Sequence, residues 1–308
     1  MIWLYIIIGL LIAALAVFYY FFRLTFIKRN VGNVDDVNDP CNKMLGDFKG
    51  VIGEGIDYIN STPCKWVEAL SFDGLLLKAR YFNNNSDKTI IIFHGYRSSA
   101  ARDFSCAVSM YTAFGLNVLL VDQRAHGQSE GRLITFGVKE SRDVFTWVNF
   151  VKEKFGTEKI MLGGMSMGAT TVLLAGGQGL PNEVKGIIAD CGFTSPAEII
   201  KLVGKRDYKI NAAAFIPILD LGCKIFGKFS IKNVSTADAV KNCDLPILFI
   251  HGADDGFVPC EMSREAFKNC NEKCRLLVVE GADHGFSFLV DKPRVLNEIK
   301  EFLNSIEC

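Results

Sequence analysis

Lys159-Ile160-Met161-Leu162-Gly163-Gly164-Met165-Ser166-Met167-Gly168-Ala169-Thr170-Thr171-Val172-Leu173-Leu174 is the stretch on which the reading of this chain turns. A short apolar strand, Lys159 to Leu162, runs into Gly164-Met165-Ser166-Met167-Gly168, and a helix of small residues, Met167 to Ala175, follows at once. A G-x-S-x-G sequence arises often by chance. Between a strand and a helix it describes a sharp turn that lifts a serine clear of a sheet. The glycines are required because the turn crowds the backbone. The helix aims its N-terminal amides at negative charge developing near the serine Oγ. Ser166 is therefore the candidate nucleophile.

Outward from that turn, strands and helices alternate. Trp66 to Phe72 and Leu75 to Phe82 flank Asp73-Gly74, which predicts a β-hairpin. Further apolar runs of strand length are Thr89 to Phe93, Asn117 to Val121, Val184 to Ala189, Ile247 to Ile250 and Arg275 to Val279. Helical spacing covers Arg102 to Phe114, Lys139 to Phe155 and Val290 to Ile306. Strands apolar throughout, separated by helices, predict a mostly parallel sheet covered on both faces. About fifty residues, Phe193 to Lys241, exceed one crossover and begin with the N-cap pattern Ser195-Pro196-Ala197-Glu198, which predicts a helical cap over the site. Its apolar residues Phe215, Ile216, Ile218, Leu219 and Phe226 are expected to line a pocket.

In such sheets the working residues sit beyond the carboxyl ends of the strands. His94, Asp122, Ser166, Asp190, His251 and Asp255 all fall there. Phe93-His94-Gly95-Tyr96 ends one strand, and the amides of Tyr96 and Met167 are the candidate oxyanion donors. Only four histidines exist: His94, His126, His251 and His284. His284, after the last strand, is placed to be the general base, since Ser, then Asp, then His is the chain order for this architecture. Asp190, Asp254 and Asp255 are the carboxylates at strand ends that could orient it. Asp122 to Ser129 also holds Asp, His and Ser, but sequence neighbours rarely face one another as a triad must, and the stretch reads as structural.

Residues Ile2 to Phe22 carry no charge and as a helix span about 31 Å, the thickness of a bilayer core. Trp3, Tyr5, Tyr19 and Tyr20 mark its ends, and Arg23, Lys28 and Arg29 follow. A single-pass anchor in the cell membrane with the catalytic domain in the cytoplasm is expected. A cleaved signal peptide is the rival, suggested by Ala14-Leu15-Ala16 but lacking a basic start. Residues 1–29 form the anchor and its basic flank, 30–65 a juxtamembrane linker with a short helix within Met44 to Ile59, and 66–308 the main domain, with 193–241 as its cap. Lys plus Arg equals Asp plus Glu at 34 each, so no basic face points to nucleic acid. The ten cysteines show no CxxC pair or zinc spacing and read as reduced core residues. Neither a metal nor a cofactor is expected.

Ser71-Phe72-Asp73-Gly74, Phe93-His94-Gly95-Tyr96-Arg97, Asp122-Gln123-Arg124-Ala125-His126-Gly127, Gly164 to Ala169, Ala189 to Ser195 and His251 to Pro259 together resemble a bacterial family of membrane-anchored α/β-hydrolases. That family is related to the serine aminopeptidase-like group and to eukaryotic membrane-anchored α/β-hydrolase-domain proteins. The resemblance covers Trp66 to the C-terminus. It implies the α/β-hydrolase fold, the triad Ser166, Asp255 and His284, and hydrolysis of an ester, thioester or amide. Among the three carboxylates it ranks Asp255 first, Asp190 second and Asp254 third. The usual Gly of the related RGHG turn is Ala125 here. A serine hydrolase acting on a small or lipid-like acyl substrate at the membrane is the expectation. A membrane-bound serine peptidase and a non-catalytic binding protein reusing the fold are the alternatives.

Overall fold

A computed structural model describes residues 1–306 of the chain. Glu307 and Cys308, the end of the expected 66–308 domain, lie outside the described residues.

The chain opens with α1 (Ile2–Phe26), followed by a 3-10 segment, Pro40–Phe48, and α2 (Lys49–Ser61). An antiparallel hairpin comes next, β1 (Lys65–Leu70) and β2 (Leu76–Phe82), joined at Gly74 with φ +85°. The alternating body then runs β3 (Lys88–Phe93), α3 (Ala100–Asp103), α4 (Ala107–Ala113), β4 (Asn117–Asp122), α5 (Glu140–Phe155), β5 (Lys159–Met165), α6 (Met167–Gly176) and β6 (Val184–Asp190). The insertion carries α7 (Pro196–Asp207), α8 (Ile216–Gly222), a π turn over Cys223–Gly227 and α9 (Thr236–Lys241). β7 (Ile247–Gly252), α10 (Glu261–Phe267), β8 (Arg275–Val279), α11 (Ser287–Val290) and α12 (Lys292–Ser305) complete it.

The eight strands form one sheet in the order β1-β2-β4-β3-β5-β6-β7-β8, parallel from β4 to β8. The fold is the α/β-hydrolase fold. Alternation along each strand feeds two cores. Ile91, Phe93, Leu119 and Val121 face the side covered by α5 and α6. Ile90, Ile92, Val118 and Leu120 face the side covered by α2, α4 and α12. The chain winds from β3 to β4 in one direction and from β5 to β8 in the other. A crevice therefore opens beyond the adjacent carboxyl ends of β3 and β5.

Three local readings change. The expected helix from Arg102 to Phe114 is broken into α3 and α4, with Phe104 in a non-helical conformation at the end of α3. The stretch read as a linker is folded over half its length: Ile52, Ile56 and Ile59 of α2, spaced for one helix face, are buried against the sheet. Ala125 sits at φ +61°, a backbone that glycine adopts freely and that costs an alanine about 1 kcal/mol.

The end of α1 is built into the globular body. Phe22 and Phe26 are buried among residues of the cap and of the segment near Phe136. The last carbonyls of a helix lack intrahelical donors. Here the Arg97 guanidinium donates to the Leu24 and Ile27 carbonyls at 2.8 and 3.2 Å, and the Tyr96 hydroxyl to the Thr25 carbonyl at 2.8 Å. The Ile134 amide donates to the Phe26 carbonyl.

Because Ile59 is fully buried between α2 and the sheet, Ile59→Ala is expected to cost about 2–4 kcal/mol of stability. Denaturant unfolding of the detergent-solubilised chain measures it. A cost within a few tenths of a kcal/mol would mean that α2 adds nothing to the core.

Candidate active site

Ser166 ends the turn between β5 and α6 with φ +54° and ψ −114°. This is a strained backbone for a residue with a side chain. Two glycines make it possible. A Cβ on Gly164 would collide with the Gly168 carbonyl, and one on Gly168 with the Phe93 carbonyl at the end of β3. The motif therefore has glycine where β5, α6 and β3 come closest. The strain points Ser166 Oγ out of the sheet into the crevice.

Ser166 Oγ lies 3.0 Å from Nε2 of His284, and Nδ1 of His284 lies 2.7 Å from Oδ2 of Asp255. Asp255 Oδ1 accepts from the amides of Phe257 and Val258 at 2.8 and 2.7 Å. Burial raises the Asp255 pKa, but the hydrogen bonds from His251 and His284, the charge of His284 and the Val258 amide outweigh it. The carboxyl is held well below the usual carboxylate range. Asp283 Oδ1 accepts from the amides of Gly256 and His284 and so ties the acid loop to the base loop.

Asp190 and Asp254, the other two carboxylates weighed, are not joined to His284. Asp254 is exposed. Asp190 is buried with Oδ1 unpartnered, and burial pushes its pKa up to about 6 against the lowering pull of His251 and His284. The amide of Met167, first residue of α6, has no intrahelical acceptor. Tyr96 follows Gly95, whose Cα faces Ser166 closely enough that a Cβ there would touch the serine. The loop that carries the Tyr96 amide thus lies beside the serine, and the Met167 amide follows it directly in the chain. The Tyr96 side chain points away, stacked on Phe136 and bonded to α1, and burial pushes its pKa up to about 12.

The two histidines near β3 and β4 brace loops. His94 contacts the Gly95 carbonyl and accepts from the Gln123 amide, while His126 accepts from the Arg97 amide. Burial holds the His126 pKa well below the usual value. The Asp122 carboxylate accepts from the Gln128 amide, and the Ser129 hydroxyl donates to the Asp122 carbonyl.

Three residues were given no role in the sequence. His251 Nε2 lies 2.9 Å from the Val258 carbonyl and 3.2 Å from Asp255 Oδ2, while its Nδ1 faces Ser263 Oγ at 2.7 Å. Its four-residue spacing from Asp255 was the available signal. Phe257 packs on the His284 ring at 5.0 Å between centroids, and the Arg206 guanidinium covers Phe257 at 4.4 Å. No pattern in the chain marks those contacts. Cys191, Asp255 and His284 bring ligand-type atoms within 4.8 Å of one another. They do not suit a metal: the carboxylate and ring are engaged with each other, and burial pushes the Cys191 thiol well up, away from the thiolate a metal needs.

The serine opens onto a cavity of about 490 Å³, within the range of small-ligand sites. Its walls include Phe136 and Phe193 from the body, Val203, Phe215 and Leu219 from the cap, and Phe21, Leu24 and Thr25 from α1. Of the cap residues expected there, Phe215 and Leu219 line it. Ile216 is buried in the packing, and Ile218 and Phe226 face outward, 53% and 62% exposed.

A nucleophile-elbow serine at the crevice of this sheet, with a histidine in reach, is the arrangement of the α/β-hydrolase fold. The chain is similar to hydrolases of that fold. The model of the serine aminopeptidase family, S33, matches residues 84–219. The esterase Pf2001 of Pyrococcus furiosus superposes with a TM-score of 0.66 at 27% identity, over 81% of this chain and 93% of that one. The uncharacterized protein YqkD of Bacillus subtilis is 27% identical over 224 residues, 72% of this chain and 73% of its own length. The thiohydrolase aneE of Aspergillus aculeatus is 31% identical over 130 residues, 41% of this chain and 40% of its own. This α/β-hydrolase is of serine-hydrolase type.

The environment of Asp190 has a measurable consequence. Its carboxyl is neutral in the fold up to about pH 6 but ionises near 3.9 when unfolded. Between those values the unfolded chain has already lost its proton and the folded one has not, so stability falls as pH rises. A shift of about two units amounts to about 3 kcal/mol. Asp190→Asn is expected to flatten that decline and to raise the melting temperature at pH 8 but not at pH 4. Equal effects at both pH values in thermal melts would disprove the assignment.

Proposed function

We propose that this hydrolase cleaves a carboxylic ester, or a related acyl bond, through Ser166, His284 and Asp255. The observation that carries the reading is the continuous hydrogen-bonded chain from Ser166 Oγ through both ring nitrogens of His284 to Asp255. His284 takes the proton as Ser166 Oγ attacks the acyl carbonyl carbon. The developing oxyanion is held by the amides of Tyr96 and Met167. His284 then protonates the leaving group, and the acyl chain stays on Ser166 as an ester. A water molecule, deprotonated by His284, attacks that ester and restores the serine. Asp255 stays ionised throughout, fixing the ring's tautomer and stabilising the imidazolium.

The cavity supports an acyl substrate over a peptide amine. An aminopeptidase needs a free carboxylate to hold the α-ammonium. Among the described wall residues, Asp103 accepts from the Gly95 amide and the Ser98 hydroxyl, Asp207 is paired with Arg206, and Asp190 is buried, with only its Oδ1 unpartnered. The remaining walls are mostly apolar. Peptide cleavage is the second reading, favoured by the description of the matching family model. Thioester cleavage uses the same steps, and the partial relative aneE is named for such an activity.

α1 is long and apolar enough to cross a membrane, and its most apolar window makes no buried contact with the body. We read it as an anchor. Arg23, Lys28 and Arg29 at its C-terminal end support a cytoplasmic position for the hydrolase domain.

A fluorophosphonate is expected to label wild-type protein at Ser166, and Ser166→Ala to abolish labelling. Asp255→Asn should remain folded while ester turnover falls by about ten-thousandfold, because the ring loses its orienting acceptor. Undiminished labelling of the alanine variant, or near-normal turnover by Asp255→Asn, contradicts the mechanism. For sidedness, the exposed thiol of Cys64 is the reporter. A membrane-impermeant maleimide should leave it unmodified in intact cells and modify it after lysis, and labelling without lysis would reverse the orientation.

A further inference from the structure

The outward face of the cap is apolar. Ile218, Leu221, Ile225 and Phe226 are 53–62% exposed, and none of them lines the cavity. Between Asn211 and Lys228 the only exposed charged residues are Lys224 and Lys228, since the one acid, Asp220, is buried and paired with Lys224. An exposed apolar face edged by lysines is the pattern of a segment lying in a bilayer interface.

This face is continuous with α1. Phe226 packs on Phe22 at 5.6 Å between centroids, Phe215 on Phe21 at 6.3 Å, and Gly222 lies against the Phe18 ring. Counted from Ile2 at 1.5 Å per residue, a hydrocarbon core of about 30 Å ends near Phe21. The cap therefore meets α1 at the depth where the span leaves the hydrocarbon. At that junction stands Phe215, which is both a wall of the Ser166 cavity and 42% exposed. Phe21, Leu24 and Thr25 of α1 form the adjoining wall.

We propose that Ile218, Leu221, Ile225 and Phe226 are seated in the leaflet from which α1 emerges, and that an acyl chain passes from that leaflet, between α1 and Phe215, to Ser166. This rests on the hydrolase and anchor readings above. It names the substrate class as a bilayer-resident acyl lipid rather than a water-borne ester. Phospholipid is the occupant because the anchor reading sets this face against it and because no exposed acid stands on its rim.

The test uses the full-length chain in vesicles of equal parts phosphatidylcholine and phosphatidylglycerol. In a Trp3→Phe background, Phe226→Trp is read by fluorescence with and without bromine on the phosphatidylcholine acyl chains. Added emission that is quenched about twofold is the expected result for a residue at this depth. Unquenched emission, as a face reserved for a protein partner would show, overturns the proposal. In parallel, the double variant Ile225→Glu, Phe226→Glu is assayed on a long-chain ester embedded in the vesicles and on a soluble short-chain ester. The embedded ester should be cleaved about tenfold more slowly and the soluble one at an unchanged rate, since only the seat in the leaflet is lost. Equal losses on both esters, or on neither, overturn the route. If wild-type protein cleaves neither ester and Ser166 takes no fluorophosphonate, the hydrolase reading has failed and the acyl route with it. Quenching then decides the seat of the cap alone.

Discussion

The close approach of β5, α6 and the end of β3 around Gly164 and Gly168 is the constraint from which the site follows. With no side chain at either glycine, α6 begins directly against the Phe93 carbonyl, and Ser166 is forced to φ +54°. That conformation is unfavourable by itself and is held because β5 and α6 are packed on both sides of it. It places the serine Oγ, the first amide of α6 and the loop after β3 around one point. The crevice is there because the winding of the sheet reverses between β3 and β5.

Two carboxylates stand near the base, and their surroundings give them opposite character. Asp255 accepts from two amides and from His284, with His251 close by, and is held ionised despite burial. Asp190, one strand away, has an unpartnered oxygen and is pushed toward the neutral form. Hydrogen-bond supply separates them, since both are buried. His251 lies on the Asp255 side, between the Val258 carbonyl and the carboxylate, and does not reach the serine.

The N-terminal helix belongs to the site as much as to any membrane. Its last carbonyls are capped by Arg97 and Tyr96, neighbours in the loop after β3. Its last turns form one wall of the cavity. A change in how α1 sits would therefore be felt at that loop, beside Ser166, through two hydrogen-bonded side chains.

Much of this was legible along the chain. The elbow, the alternation of apolar strands with helices and the order of Ser166, Asp255 and His284 are local or ordinal features, carried by spacing and residue type. The hairpin at Asp73-Gly74 and the helix from Lys139 to Phe155 were likewise readable, because turn chemistry and one-sided burial leave periodic marks. The break between α3 and α4 left no glycine or proline to signal it. The burial of α2 was hidden because its three isoleucines are diluted by glycines and acids. Choosing Asp255 over Asp190 by chemistry required knowing which oxygens receive hydrogen bonds, and those donors come from residues far apart in sequence. The direction of each apolar cap residue was equally closed to sequence: Leu219 turns inward and Ile218, its neighbour, outward. Sequence by itself determined the sheet, the turn that carries Ser166 and the place of His284 after the last strand, since strand pattern and motif are written in neighbouring residues. Tertiary structure alone decided the state of the acids, the contacts of His251 and the union of N-terminal helix, cap and cavity, because burial and hydrogen-bond partners exist only once distant segments have met.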